Sequence, residues 1–269
     1  MGKLLRRKEH YVPKEVPMSY STRGRKLIEI YVKAKSFGKS CTVEAVASII
    51  SQANADIISM AYTQTKESEN LLLFVDFTNS YRSAVEVLED IKRQPFTIDA
   101  KIHSRAVENT IIEGFGFPVT CSHYGGRLLI IPADSLREFF SFLNLTFGTG
   151  GEAITYNLGH ELGRHIYRNY CMGRNLPKDK CLNVFFEILR VMGLGIYEVY
   201  DLDLKAGRGR VIVRDNFEAE DSKARGCHFT KGLIAGVFEE ATELPVNVVE
   251  HKCKARGYPY CEFIIRRIG

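Results

Sequence analysis

The pattern of apolar and polar positions divides the chain into two blocks of predicted secondary structure. In the first block, short runs rich in branched residues predict strands, and apolar positions at helical spacing predict two helices. The predicted strands are 26–36, 56–66, 70–78 and 96–104, and the predicted helices are 42–55 and 83–92. The order βαββαβ is typical of a split sandwich, with two helices on one face of an antiparallel sheet.

The second block is predicted to be a larger α+β domain. A hairpin is expected around Gly125-Gly126, between strands at 119–124 and 127–131. The elements predicted after it are helices at 134–146, 151–171, 179–193 and 227–241, and strands at 195–204, 209–216, 245–252 and 260–266. Such an order favours helices packed on one side of an antiparallel sheet. Residues 105–118, which contain Gly114, Gly116 and Pro118, are predicted to be a linker.

The sequence of the first block resembles a known regulatory module. The stretch from Ala34 to Ser59, AKSFGKSCTVEAVASIISQANADIIS, resembles the first loop, helix and strand of ACT domains. The resemblance extends over about 80 residues and implies an ACT-like domain at 26–104. ACT domains bind amino acids at dimer interfaces through a loop that corresponds here to Ser36–Ser40. Amino-acid binding and simple dimerisation both remain open for this domain.

Composition and charge limit the classes of protein that need to be considered. Apolar residues make up 45% and charged residues 26% of the chain, a balance that permits a substantial core. The net charge of +5 is confined to the N-terminus, since residues 1–26 carry +6 and the other 243 residues sum to −1. A solvated basic arm at 1–25 is therefore favoured over contact with nucleic acid.

The location expected from the sequence is the cytoplasm. No apolar run reaches the roughly 18 residues that span a bilayer, so no membrane partner is expected. The basic start of the chain has no apolar segment behind it and does not match a secretory signal. The seven cysteines are an odd number, which argues against a disulfide framework and for buried thiols with a possible metal site.

Three of the cysteines, Cys227, Cys253 and Cys261, lie within 35 residues and form a candidate metal site. A closed zinc site needs a fourth ligand, for which Glu250, His251 and His228 are the nearby candidates. Glu250 and Cys253 are three residues apart and would point to opposite faces of a regular strand. The strand must therefore end or kink at Lys252 for both to reach one ion, and His251 is the substitute otherwise.

The full spacing Cys227-x22-Glu250-x2-Cys253-x7-Cys261, with Gly232-x3-Gly236 between the first two ligands, resembles the 4-vinyl-reductase (4VR) domain family. The resemblance covers roughly residues 117–266 and implies a 4VR-type domain at 119–269. Family members include the sensory domains of phenol-responsive transcriptional activators, in which this spacing holds zinc. Their fold is similar to small subunits of vesicle-tethering complexes that enclose a hydrophobic pocket. By this resemblance, Cys227, Glu250, Cys253 and Cys261 bind a structural zinc ion.

The same resemblance implies a pocket for a small hydrophobic ligand. Its expected lining residues are aromatic and lie on the predicted helices and the first strand after them: Phe139, Phe142, Phe185, Phe186 and Tyr197. Aromatic residues at helical spacing also form ordinary packed cores, so that alternative stays open. A mostly apolar cavity with a few polar groups is what such a ligand requires.

Catalytic motifs are weak by comparison. Gly148-Thr-Gly-Gly151 precedes a helix but lacks both the spacing and the lysine of a P-loop, and no dinucleotide fingerprint follows a strand. His160 and His165 are one residue too far apart to share a helical face as zinc-protease ligands. The sequence thus favours a zinc-stabilised sensor, expected to be a homodimer, over an enzyme. The alternatives are a reductase or accessory subunit acting on a tetrapyrrole or vinyl compound, and a nucleic-acid-binding regulator that uses the basic arm.

Overall fold

The computed structural model describes residues 11–36, 41–121, 126–171, 176–220 and 226–269. The chain divides into two compact units, one formed by the described residues up to Val119 and the other running from Thr120 to Gly269. Both units combine helices with antiparallel sheets, which confirms the mixed α+β class. Among the described residues, none of the helices has the length and hydropathy needed to cross a bilayer.

The first unit contains the predicted βαββαβ order. Its elements are β1 (Ser19–Ser21), β2 (Leu27–Lys35), α1 (Cys41–Gln52), β3 (Asp56–Gln64), β4 (Ser68–Asp76), α2 (Ala84–Lys92), β5 (Thr97–His103), β6 (Ala106–Val107) and β7 (Thr110–Ile112). The main sheet has the order β3-β4-β2-β5 and is antiparallel. Alternate residues of β2 (Ile28, Ile30 and Val32) share one buried core with α1 and α2. Residues 37–40 of the loop expected to bind amino acids lie outside the described residues.

The structure differs from the sequence prediction at the end of the basic arm and in the linker. Strand β1 lies in the expected arm, β6 and β7 lie in the expected linker, and the three pair as a small sheet in the order β1-β7-β6. Ile111 of β7 packs with Leu27 and Phe74 in a separate apolar cluster, to which Tyr20 of β1 adds its ring. Short strands of this kind escaped prediction because two or three residues do not establish a periodicity.

The second unit follows the predicted order of helices and strands. Its elements are α3 (Ala133–Phe147), α4 (Thr149–Cys171), α5 (Lys178–Val191), β8 (Ile196–Asp203), β9 (Arg208–Arg214), α6 (His228–Thr242), β10 (Val246–Lys252) and β11 (Cys261–Arg267). The four strands form an antiparallel sheet in the order β10-β11-β9-β8. Strand β11 and helix α6 contribute the most deeply buried side chains, including Phe238 and Phe263.

The hairpin expected at 119–131 is not formed as two strands. In the described part of this segment, pairing is limited to an isolated bridge between Thr120 and Arg127. The apolar run from Leu128 to Ile131 has no strand structure and is exposed. The run of branched residues therefore misled the prediction, because its apolar side chains lie at the surface.

Helices α4 and α6 approach each other unusually closely through four glycines. A methyl group at Gly159 or Gly163 of α4 would collide with the backbone of Phe229 or Leu233 in α6. Methyl groups at Gly232 and Gly236 of α6 would in turn collide with carbonyl oxygens of α4. Both G-x-x-x-G pairs therefore allow close helix packing, as the sequence predicts. This contact fixes the position of α6, the helix that begins at the candidate metal site.

We expect Gly159→Ala to lower the free energy of unfolding by about 1–3 kcal/mol, because the added methyl forces the helices apart. Gly150→Ala is the matched control, since a methyl there meets only the Cβ atom of Phe147 at 3.7 Å. The control should leave stability unchanged or raise it by up to about 1 kcal/mol through helix propensity. Urea unfolding of both variants measures the difference, and equal stabilities would contradict the close-packing account.

Candidate metal centre

Four side chains from three segments of the second unit converge on one buried point. Cys227 directly precedes α6, Glu250 lies on β10, Cys253 follows β10 and Cys261 begins β11. One ligand atom from each side chain lies within 4.8 Å of all the others. The sulfur of Cys227 is 3.7 Å from that of Cys253 and 3.8 Å from that of Cys261. The three cysteines are fully buried and their thiols are free.

A β-bulge brings Glu250 and Cys253 to the same side of the sheet. Glu250 pairs with Phe263 and Lys252 pairs with Glu262, so His251 is an extra residue between two consecutive pairs. One extra residue reverses the alternation of side chains that follows it. The strand then ends at Lys252, the position at which the sequence requires a kink or an end. His251 itself is exposed, and Glu250 occupies the cluster in its place.

The turn between β10 and β11 directs a backbone amide at the cluster. Residues 254–256 form a single 3-10 turn that ends at Gly257, whose φ of +91° suits glycine. The amide nitrogen of Lys254 lies 3.4 Å from the sulfur of Cys261, to which it donates. Such amides stabilise a thiolate, so the short turn prepares Cys261 to act as an anionic ligand.

Glu218 caps helix α6 and leaves the Cys227 thiol available to the cluster. Its carboxylate accepts hydrogen bonds from the backbone nitrogens of Phe229 and Thr230, at 2.9 and 2.8 Å, and from the Thr230 hydroxyl. Cys227 occupies the N-cap position but makes no capping bond with its side chain. Burial raises the pKa of Glu218 to about 7, although the three hydrogen bonds oppose this shift. Sequence reasoning missed Glu218, because its contact with α6 is made through the fold.

The charges in the cluster are unbalanced without a cation. One oxygen of Glu250, Oε2, accepts from the Cys227 amide at 3.3 Å and from Arg256 at 3.1 Å. The other oxygen, Oε1, is buried and has no hydrogen-bond partner among the described residues. Burial raises the pKa of the Glu250 carboxyl, and the neighbouring thiols raise that of Cys227. A cation reverses both effects, because it stabilises the deprotonated ligands. The cluster can therefore hold a metal ion.

The predicted pocket residues lie in two different environments. Phe185, Phe186 and Tyr197 are buried and pack together, with ring centroids 5.2 Å apart for Phe186 and both of its neighbours. Phe139 and Phe142 of α3 are instead about half exposed. Helical spacing assigned these two residues to a common stripe with Phe140 and Leu143, but the helix turns only the latter pair towards the core.

The hydroxyl group of Tyr197 is the feature of this aromatic group that sequence reasoning could not foresee. It is buried and has no hydrogen-bond partner among the described residues. Burial, together with the nearby Glu218 and the thiols of Cys227 and Cys261, raises the pKa of Tyr197 well above its usual range. The phenol therefore stays protonated and presents an unused polar group inside an apolar core.

Comparison with known proteins places the chain in a family. Residues 210–267 match the vinyl-4-reductase (4VR) domain, and this range contains all four cluster residues except Cys227's neighbours before position 210. The uncharacterized protein MJ0150 of Methanocaldococcus jannaschii is 37% identical over 125 residues, which cover 45% of this chain and 68% of that protein. The chain belongs to the vinyl-4-reductase domain family. The resemblance inferred from the cysteine spacing is thereby confirmed.

Solved structures related to the 4VR unit are more distant. The phenol-responsive sensory domain of the transcription activator PoxR, solved with phenol, is 16% identical and has a TM-score of 0.48. The similarity covers 56% of this chain and 84% of that domain. A vinyl-4-reductase family protein from Methanocaldococcus jannaschii is 22% identical, with a TM-score of 0.40, over 53% of this chain and 85% of that protein.

We expect Cys253→Ser to reduce the metal content of the purified protein from about one ion per chain to well below one. The variant should also unfold at a clearly lower temperature, since metal affinity contributes directly to folding. Cys181→Ser is the matched control, because Cys181 is equally buried but lies in the core, outside the cluster. Elemental analysis together with thermal unfolding tests this expectation. A metal-free Cys253→Ser variant with unchanged stability would contradict it.

Proposed function

We propose that residues 119–269 form a zinc-stabilised regulatory domain that binds a small, mostly apolar molecule. The observation that carries the proposal is the closed set of four donors formed by Cys227, Glu250, Cys253 and Cys261. Three protein ligands and an open position are typical of catalytic zinc, whereas four protein ligands are typical of structural zinc. The donor set therefore supports a role in holding the domain together and argues against activation of water.

The spacing of the sulfurs supports zinc as the ion. A tetrahedral site with zinc–sulfur bonds of about 2.3 Å separates its sulfurs by about 3.8 Å. The separations of 3.7 and 3.8 Å from the Cys227 sulfur agree with this value. Thiolate-rich donor sets also favour zinc over magnesium and calcium, which prefer oxygen ligands. The unpartnered Oε1 atom of Glu250 supplies the fourth donor.

In this proposal the zinc ion joins the start of α6 to the turn between β10 and β11. Cys227 belongs to the first segment, and Cys253 and Cys261 stand at the two ends of the second. The ion thereby links the helix to the sheet at the edge where both begin. Its role is architectural, and the chemistry it supplies when bound is charge neutralisation of buried thiolates.

The ligand site is proposed at the buried hydroxyl of Tyr197. A small aromatic or aliphatic molecule with one polar group would match the apolar surroundings and the unused hydrogen-bonding capacity of the phenol. Because the rings of Phe186 and Tyr197 stack at 5.2 Å, a ligand that reaches the hydroxyl has to separate them. Binding would then change the packing beneath α5, which is how a regulator reports occupancy.

The wider biological setting is part of the same proposal. The protein would act in the cytoplasm as a homodimer and would transmit ligand binding to a partner. The ACT-like unit at 26–104 would contribute regulation by dimerisation or by binding an amino acid. The reductase and nucleic-acid alternatives gain no specific support from the described residues, and they are outcomes of the experiment below.

Native mass spectrometry of the gently purified protein, followed by denaturing analysis of what it releases, tests the proposal. We expect one zinc ion per chain and a small organic molecule at substoichiometric or full occupancy. A flavin or nicotinamide cofactor would instead support a reductase, and bound nucleic acid would support the role of the basic arm. Protein with a different metal, or with no metal, would contradict the structural zinc.

We expect Tyr197→Phe to have opposite effects on stability and on ligand binding. Removing the unpartnered hydroxyl should raise the free energy of unfolding of the ligand-free protein by about 1 kcal/mol. The same change should reduce the amount of co-purified ligand, because the polar anchor is lost. Tyr258→Phe, at an exposed position of the same unit, is the control. Loss of stability in Tyr197→Phe, with ligand content unchanged, would oppose the site.

A further inference from the structure

A large apolar surface is exposed on two neighbouring helices of the second unit. Helices α3 and α4 pack against each other, joined at Gly148. Together they expose six large apolar side chains, which we call the α3–α4 apolar face: Phe139, Phe142, Leu145, Phe147, Ile154 and Leu158. Leu145 is 81% exposed and the others are about half exposed. This observation is independent of the metal cluster and of the ligand proposed above.

The extent of this surface exceeds what an isolated domain normally leaves in water. With roughly 200 Å² for each large side chain, the six residues expose roughly 600 Å² of apolar area. The apolar run Leu128–Ile131, which leads directly into α3, is exposed as well and raises the total to roughly 1,000 Å². The largest apolar patch of a typical monomer covers about 300–600 Å², and larger patches mark interaction sites.

The charges around the face restrict the kind of partner. Residues 138–163 contain neither lysine nor arginine, whereas they include Glu138, Glu152 and Glu161. Anionic lipids and nucleic acids need basic side chains at the contact, so this composition disfavours both. Glu161 lies 3.4 Å from Arg164, and Glu152 lies 3.8 Å from His228. These pairings reduce repulsion when a surface of the same composition approaches.

We propose that the α3–α4 apolar face is the interface through which two copies of this chain form a homodimer. An apolar surface is complementary to itself and needs no opposite charge on its partner, which suits a two-fold contact. Two copies would bury roughly 1,200 Å² through the six residues alone and roughly 2,000 Å² with the preceding run. These values span the range of stable protein interfaces, about 1,200–2,000 Å². The dimer contact is thus assigned to the 4VR unit, whereas the sequence placed it in the ACT-like unit.

The experiment is sedimentation or light scattering of the full chain over a wide range of concentration. We expect a dimer, and we expect Phe142→Glu/Leu145→Glu to weaken dimerisation at least about a hundredfold by placing charges in the interface. Val191→Glu/Met192→Glu is the matched control, because both residues are exposed apolar side chains at the end of α5 in the same unit. The control should remain dimeric.

A charge-complementation experiment keeps the test decisive. Chains with Phe142→Lys/Leu145→Lys should be monomeric alone and should form mixed dimers with the glutamate variant, which native mass spectrometry resolves by mass. Unchanged metal content and circular dichroism establish that each variant is folded, and Leu145→Glu alone replaces the double variant if it fails this criterion.

Several results would overturn the proposal. They are a monomeric parent chain at all concentrations, a glutamate variant that stays dimeric, a control that dissociates equally, and failure of the two charged variants to combine. Binding of the parent chain to phosphatidylcholine vesicles that the glutamate variant loses would assign the face to lipid instead.

Discussion

The burial of three thiols and a carboxylate at one point is the constraint on which the second unit depends. Four such groups cannot lose their protons together in a dry interior, because each added negative charge raises the free energy of the next. A bound cation removes this difficulty and turns mutual repulsion into attraction towards a common centre. The local backbone is arranged accordingly. The bulge at His251 turns Glu250 inwards, the 3-10 turn directs the Lys254 amide at Cys261, and Glu218 takes over the capping of α6.

The cluster in turn depends on a contact far from it in the sequence. Cys227 can meet Cys253 and Cys261 only if α6 begins at the right height and distance from the sheet. The glycine pairs of α4 and α6 determine that distance, because they let the two backbones touch without side chains between them. An amphipathic helix packs through its side chains and tolerates small shifts, whereas a glycine contact between backbones allows little adjustment. The metal site therefore lies at the end of a rigidly placed helix.

The sequence predicted those features whose signal is local or carried by a motif. The βαββαβ order follows from periodicity, and the four cluster residues follow from a spacing that matches a known family. The conflict between Glu250 and Cys253 was also visible from the sequence, because a regular strand cannot satisfy both residues, and the bulge resolves it. Spacing alone left His251 open as a ligand, and only the pairing of β10 with β11 distinguishes it from Glu250.

Features that depend on which face meets which neighbour were beyond sequence reasoning. Periodicity indicates that α3 has an apolar stripe, but it does not reveal that Phe140 points to the core while Phe142 points to water. The missing partner of the Tyr197 hydroxyl and the capping by Glu218 likewise exist only once distant segments are assembled. The exposed run Leu128–Ile131 was taken for a strand because its residues favour strands, although a strand also needs a partner.

Helix α4 connects the two features of the second unit that carry function in our account. Its glycines at positions 159 and 163 rest on α6, which begins at the metal cluster, while Ile154 and Leu158 belong to the exposed apolar face. A helix held this tightly on one side moves as a body with its neighbour, and not by bending. If a ligand at Tyr197 alters the packing around α6, the change therefore reaches the exposed face through α4 with little loss. Signal transfer in this unit then requires no contact between the ligand and the surface that reports it.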